Sequence, residues 1–207
     1  GGVVNIVTKS GTNTTEGSVF FFLRDDALNA KDRFERFNPA GQAIARDKAP
    51  FAQKQFGGTL GGPLKRDRTF YFLSFERLDI SAHNFVTIDD TNNVTFLGQP
   101  LGTPAAILRR AGFAVETGHV PYDIRSNQFL GKVDHQLNTN NSLTGRFNWA
   151  NDFNENIEPF GGNVARSRGA VLDSEDIMFA LAHTSVRSAR MVNEARFQVA
   201  SRDQAVN

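Results

Sequence analysis

Hydrophobic and polar residues alternate along much of this chain of 207 residues, as they do in strands with one apolar face. In residues 142–149 the odd positions are leucine, glycine, phenylalanine and tryptophan, and the even positions are serine, threonine, arginine and asparagine. Residues 128–137 alternate in the same way, apart from Leu130 and His135. Residues 138–141, Asn-Thr-Asn-Asn, have the composition of a turn. The two runs therefore predict a β-hairpin.

Five further runs predict five more strands, which brings the total to seven. They lie around residues 17–25, 55–60, 70–78, 177–184 and 194–202. The strands are about 9–12 residues long, the length that a tilted membrane-spanning strand requires. Residues 104–112 predict a short helix with Thr103 as its N-cap.

Long and short connections alternate along these strands. The long ones are 26–51, 79–125 and 151–175, and the short turns are 61–68, 138–141 and 185–189. In an up-and-down antiparallel sheet this order places every long loop at one end, which is the asymmetry of outer-membrane barrels. Trp149, at a strand end, suits the aromatic girdle of a membrane interface. The apolar face of a soluble β-sandwich gives the same alternation, although a sandwich has no physical reason to sort its loops.

Several motifs, in their order along the chain, resemble the TonB-dependent outer-membrane receptors, in particular the Oar-like branch. Residues 1–11 (GGVVNIVTKSG) resemble the last strand of a plug domain, and residues 17–30 (GSVFFFLRDDALNA) resemble the first barrel strand and its loop. Three pairs of segments resemble the barrel hairpins that follow. They are residues 55–64 (QFGGTLGGPL) with 67–72 (DRTFYF), 127–135 (NQFLGKVDH) with 143–147 (LTGRF), and 183–186 (HTSV) with 192–196 (VNEAR).

The resemblance implies an all-β fold, an antiparallel up-and-down meander that is part of a transmembrane β-barrel, with about seven strands in an open sheet. Residues 1–15 would be the end of a plug domain and its connection to the barrel, and residues 16–207 the N-terminal barrel strands with their extracellular loops. The chain would be an internal fragment of a larger receptor of the bacterial outer membrane. The implied partners are outer-membrane lipid, an unidentified ligand (siderophore, glycan, peptide or protein), and the TonB energy-coupling complex, reached through an N-terminal part that the fragment lacks.

Composition and charge narrow the function classes further. The chain has 23 Lys and Arg against 22 Asp and Glu, a net charge of +1 that gives no case for a nucleic-acid partner. The absence of cysteine excludes disulfides, thiol nucleophiles and Cys-ligated metals. The 19 phenylalanines and 18 glycines fit a lipid-facing surface with apolar residues at every second position and glycines where strands bend.

No motif predicts a catalytic, cofactor-binding or metal-binding residue, and no substrate-binding residue can be named. The four histidines, His83, His119, His135 and His183, are far apart in sequence without paired spacing. Residues 89–93 (DDTNN) could offer oxygens to calcium, but they lack the glycine and glutamate of an EF-hand loop. Residues 57–62 lack the Gly-Lys-Ser/Thr of a phosphate-binding loop, and no nucleophile elbow is present.

Seven charged residues on or near the polar face are candidates for contact with a plug or a ligand: Arg24, Lys54, Lys132, Asp134, Arg146, Glu194 and Arg196. The alternative is that they are solvated charges that pair across strands. We expect a transport protein and not an enzyme. Two other classes stay open: a soluble β-rich binding module, glycan-binding or adhesin-like, and a β-rich hydrolase with two carboxylates within about 10 Å of each other in a cleft.

Overall fold

Seven antiparallel strands form one open sheet. The computed structural model describes residues 8–31, 33–37, 41–43, 47–86, 88, 93–157, 165–167 and 169–207. The strands of the sheet are β1 (Glu16–Asp25), β2 (Phe51–Lys65), β3 (Thr69–Val86), β6 (Gly118–Asn138), β7 (Asn141–Ile157), β8 (Ala170–Ser188) and β9 (Met191–Val206). Each strand pairs antiparallel with the next, in the order β1-β2-β3-β6-β7-β8-β9. The predicted all-β meander is therefore confirmed.

The connections alternate as predicted. Residues 66–68, 139–140 and 189–190 make the short turns, and residues 26–50, 87–117 and 158–169 make the long connections. Because successive strands are antiparallel, all short turns lie at one end of the sheet and all long connections at the other.

The strands are longer than the sequence predicted. Only β1 has the expected length, with 10 residues, whereas β3 has 18 and β6 has 21. Most additional residues of β3, β6, β7 and β8 lie towards the long connections, where alternation of apolar and polar residues fades. Backbone ladder hydrogen bonds need no particular side chain, so pairing continues where both faces of a strand are polar or mixed.

The long connections contain small elements of their own. The helix α2 (Pro104–Arg110) confirms the prediction, with Thr103 as its N-cap accepting a hydrogen bond from the Ala106 amide at 3.4 Å. A 3₁₀ turn (Asp26–Leu28), the short helix α1 (Arg33–Arg36) and a hairpin of β4 (Val94–Phe96) and β5 (Gln99–Gly102) were not predicted. No helix among the described residues has the length and hydropathy needed to cross a membrane.

The sheet has no packed layer over its apolar face in the described part of the chain. The buried hydrophobic residues there are Ala82, Ala105 and Val120. Even on inner strands, Phe75 and Phe147 are each 39% exposed and Phe179 is 42% exposed. A soluble sandwich would cover these side chains with a second sheet. The described residues therefore do not support the sandwich alternative.

Two sequence predictions fall on residues outside the described ranges. One is the plug-like segment at residues 1–7, and the other is the possible calcium loop at residues 89–92.

Candidate functional site

One face of the sheet, here called the apolar face, carries a continuous band of hydrophobic side chains. Register across the strands brings Phe75, Phe129, Trp149 and Ile177 into one row, and Phe147, Phe179 and Val199 into the row below. The band also includes Val19, Phe21, Phe56, Leu60, Leu73, Val133, Leu143, Leu181 and Phe197. Each strand contributes two or three of these side chains, and on β7 the band runs from Leu143 to Trp149, about 20 Å along the strand axis.

Trp149 lies at the edge of this band that faces the long connections. Its indole Nε1 donates a hydrogen bond to Glu175 Oε1 at 2.9 Å, while its neighbours along the face are Phe147 below and Asn151 above. An amphipathic ring at a boundary between apolar and polar side chains is the arrangement of a membrane-interface girdle.

The opposite face, here called the polar face, carries a network of hydrogen bonds and ion pairs. Asp134 accepts a hydrogen bond from the Thr144 hydroxyl at 2.7 Å and lies 3.5 Å from Lys132 Nζ. Arg202 forms a two-pronged pair with Asp176, at 2.7 and 2.8 Å. Between these pairs is an open depression of about 250 Å³ lined by Ser74, Glu76, Gln128, Asn148, Asp176 and Met178, among others. Such a surface requires water or polar partners.

Lys132 and Arg146 stand directly opposite each other on this face. Like charges in that position repel unless other groups compensate them. Lys132 is compensated, because its Nζ donates to Ser10 Oγ at 2.7 Å and lies near Asp134. Arg146 Nε is shut off from solvent and has no hydrogen-bond partner among the described residues. The Arg146 guanidinium thus has a buried N–H group that no described residue accepts.

The segment before β1, residues 8–15, lies against the polar face near the short turns. Two glycines permit this close approach. A Cβ on Gly62 would lie 2.7 Å from Thr15 Oγ1, and a Cβ on Gly11 would lie 2.7 Å from the Gly62 carbonyl oxygen and closer still to that of Tyr71. At Gly11 the contacts are backbone atoms, so only a residue without a side chain fits there, whereas at Gly62 the closest atom belongs to the Thr15 hydroxyl, which can rotate away.

Asn13 fastens the same segment to the turn between β2 and β3. Its side chain both donates to an Asp67 carboxylate oxygen and accepts from the Asp67 amide, the latter at 2.8 Å. Asp67 has a positive φ of 57°, which asparagine and aspartate tolerate in turns. The segment is therefore held at both the turn and Lys132.

The charged candidates divide between the two faces. Lys132, Asp134, Arg146, Glu194 and Arg196 lie on the polar face, as does Arg24, which pairs in register with Gln53. The placement of Lys54 on the polar face is wrong. Lys54 shares its face with Phe56 and stands opposite Asp79, just beyond the apolar band. Its position follows from strand parity, because residues two apart on a strand point the same way.

The sequence spacing suggested that the four histidines lie far apart, but two of them are close together in the structure. The β3–β6 register brings His83 and His119 together, with ring centroids 6.2 Å apart, and Phe85 packs 5.4 Å from His119. The Nδ1 atoms of both rings are buried without a partner in the described structure. Among the described residues, no group of three or more His, Asp or Glu side chains could hold a metal ion.

The known proteins that this chain resembles are consistent with a sheet that has one apolar and one polar face. The family model described as "Outer membrane beta barrel domain" matches residues 7–95 and 91–207. The TonB-dependent transporter Oar of Myxococcus xanthus is 28% identical over 153 residues, which are 72% of this chain but only 14% of that protein's length. No solved structure matches.

Proposed function

Because the chain belongs to the outer membrane β-barrel domain family, we propose that its sheet is part of the wall of a TonB-dependent transporter that takes up a ligand across the outer membrane. The protein resides in the bacterial outer membrane. The observation that carries the proposal is the pairing of an exposed apolar band on one face with a hydrogen-bonded polar network on the other. In a barrel wall these faces are the lipid-facing and the lumenal surface.

We further propose that residues 1–15 connect a plug domain to the barrel and that residues 16–207 are barrel strands with extracellular loops. The contacts of residues 8–15 support this division, since Lys132 and Asp67 hold the segment on the polar face. A chain leaving a plug inside the lumen would have to follow such a path to reach β1.

The energy source and the ligand belong to the same proposal. The relative is named a TonB-dependent transporter, so we propose that energy arrives through the TonB complex and an upstream region. The ligand would be a siderophore, glycan, peptide or protein, held by polar lumenal groups and by the long connections, which carry specificity in such proteins. The role is transport without chemical conversion of the ligand.

The test compares what cells remove from the medium. A strain lacking the gene of the full-length protein, and the parent strain treated with a proton ionophore, should both fail to deplete the same solutes. If depletion is lost on deletion but persists without the proton-motive force, energy-coupled uptake is contradicted.

A charge reversal tests the lumenal face within that assay. Arg146→Glu should lower uptake at least several-fold, because it replaces an unpaired lumenal cation with an anion beside Lys132. Arg190→Glu, in the exposed turn between β8 and β9, is the matched control and should leave uptake unchanged. Equal uptake by both variants would remove the functional role of Arg146.

A further inference from the structure

A group of cations marks one edge of the apolar band. Lys54 on β2 and Arg125 on β6 stand in one register row on either side of Asp79, and Arg77 lies in the neighbouring row, in register with Phe56 of the band. We call Lys54, Arg77, Asp79 and Arg125 the cationic patch. Two strand spacings separate Lys54 from Arg125, about 10 Å between their backbones.

Two of the three cations in the patch have no carboxylate partner. Arg77 is neutralised by a two-pronged pair with Asp79, at 2.8 and 2.9 Å. No carboxylate of the described residues lies within ion-pair distance of Lys54 or Arg125. Arg125 stacks its guanidinium 4.5 Å from the centre of the Phe153 ring, which leaves the edge of its N–H groups free to donate.

The patch borders a shallow recess. An open depression of about 320 Å³ is lined by Ala52, Lys54, Asp79, Ile80, Ser81, Asp123 and Arg125. Asp123 accepts a hydrogen bond from the Ser81 hydroxyl. The recess therefore holds two cations without a carboxylate partner and two carboxylates, of which Asp79 is neutralised by Arg77 and Asp123 keeps its charge.

The position of the patch on the sheet indicates which kind of molecule would bind there. The patch points outward, on the face of the apolar band, at the end of the sheet with the long connections. Long connections of outer-membrane barrels are extracellular, so the patch stands at the headgroup level of the outer leaflet. At the other edge of the band the outward row is Thr69, His135, Leu143, His183 and Ala195, in which only Lys65, the register partner of Thr69, adds a permanent positive charge.

We propose that the cationic patch binds a phosphorylated lipid headgroup of the outer leaflet, with Lys54 and Arg125 donating to phosphate oxygens. Guanidinium and ammonium groups are the side chains that recognise phosphate. The sector is specific, because at the same level β8 and β9 present Glu175 and Asp203, which repel phosphate. Barrel-wall residues would thus fix the rotational position of the protein relative to bound lipid.

The experiment measures binding of diphosphoryl lipid A to the detergent-solubilised full-length protein by native mass spectrometry. Saturable binding is expected, and Lys54→Gln with Arg125→Gln should weaken it roughly 10- to 30-fold, since each cation near a charged lipid surface contributes about a factor of 5. The matched control, Lys65→Gln with Arg66→Gln, removes the same charge at the opposite end of the sheet and should bind as the parent does.

Three further arms keep the proposal testable. Asp79→Asn should tighten binding several-fold, because it removes the acid between the cations and frees Arg77. Lipid A without phosphates should not bind at the patch, and millimolar inorganic phosphate should compete poorly. Equal binding of the dephosphorylated lipid, full competition by free phosphate, or unchanged affinity of the Lys54 and Arg125 double variant would each overturn the proposal.

Discussion

Gly11 and Gly62 determine how closely the segment before β1 can approach the sheet. The sequence places Gly62 in a glycine-rich run. It does not show why glycine occurs there, since such a run suits a turn equally well. The structure shows that Gly62 lies within β2 and that a Cβ on it would lie 2.7 Å from Thr15 Oγ1 and 3.1 Å from Thr15 Cα. The strict requirement for glycine is at Gly11, where it comes from the Gly62 and Tyr71 carbonyl oxygens, more than fifty residues away in sequence, which no local pattern encodes.

We expect Gly11→Ala to destabilise the full-length protein by about 1–3 kcal/mol, because the new methyl group would collide with the carbonyl oxygens of Tyr71 and Gly62. Urea unfolding in detergent measures the change, and limited proteolysis reports whether residues 8–15 have lifted from the sheet. Gly145→Ala is the control, since its Cβ would meet only Leu181 Cδ1, at 3.9 Å. Equal stability of the two variants would show that the close approach is unimportant.

Lys54 shows how a residue-level prediction failed although the sequence held the answer. Its charge suggested the polar face, whereas its parity with Phe56 places it on the apolar face. Side-chain direction on a strand is fixed by backbone geometry and not by side-chain chemistry. A charged residue can occupy the apolar face where that face leaves the hydrocarbon.

Single strands carry the two-faced character of the molecule. On β8, Ile177, Phe179 and Leu181 face the apolar side, while Met178 and Ala180 face the polar side. This was predicted from period-two alternation, because adjacent strand residues always point to opposite faces. The ends of β3 and β6 were not predicted, because apolar and polar residues do not alternate regularly there, although Ala82 and Val120 are buried in the structure.

Two neighbouring substitutions on β8 should therefore have unequal effects. Phe179→Arg places a charge in the middle of the lipid-facing band and should destabilise the folded protein in lipid by about 2–4 kcal/mol. Met178→Arg adds the same charge one residue away on the polar face and should cost much less. Denaturant titration in liposomes, followed by heat-modifiable mobility, measures both. A larger loss for Met178→Arg would reverse the assignment of the faces.

Taken whole, the described sheet has two open edges. β1 pairs only with β2, and β9 pairs only with β8. All 16 residues of β9 are exposed, including Phe197 at 61% and Val199 at 55%. Unpaired strand edges with exposed apolar side chains promote association with further strands. In a closed barrel, neighbouring strands would cover both edges.

The isolated 207-residue chain should consequently form no stable monomer in aqueous buffer. We expect aggregation without detergent, and a β-rich circular dichroism spectrum with detergent present. Size-exclusion chromatography with light scattering separates these outcomes. A monodisperse, folded, detergent-free monomer would contradict the lipid-facing assignment of the apolar band.

The sequence by itself determined the number of strands in the sheet, their antiparallel order, the alternation of long and short connections and most residues of each face. These features follow from local rules: side chains alternate along a strand, and turn residues interrupt it. Only the tertiary structure decided the register between distant strands. Register brings His83 to His119, Lys54 to Asp79 and Arg125, and Lys132 to Ser10. Such contacts depend on where each strand begins and ends. Pairing across the whole sheet determines those positions.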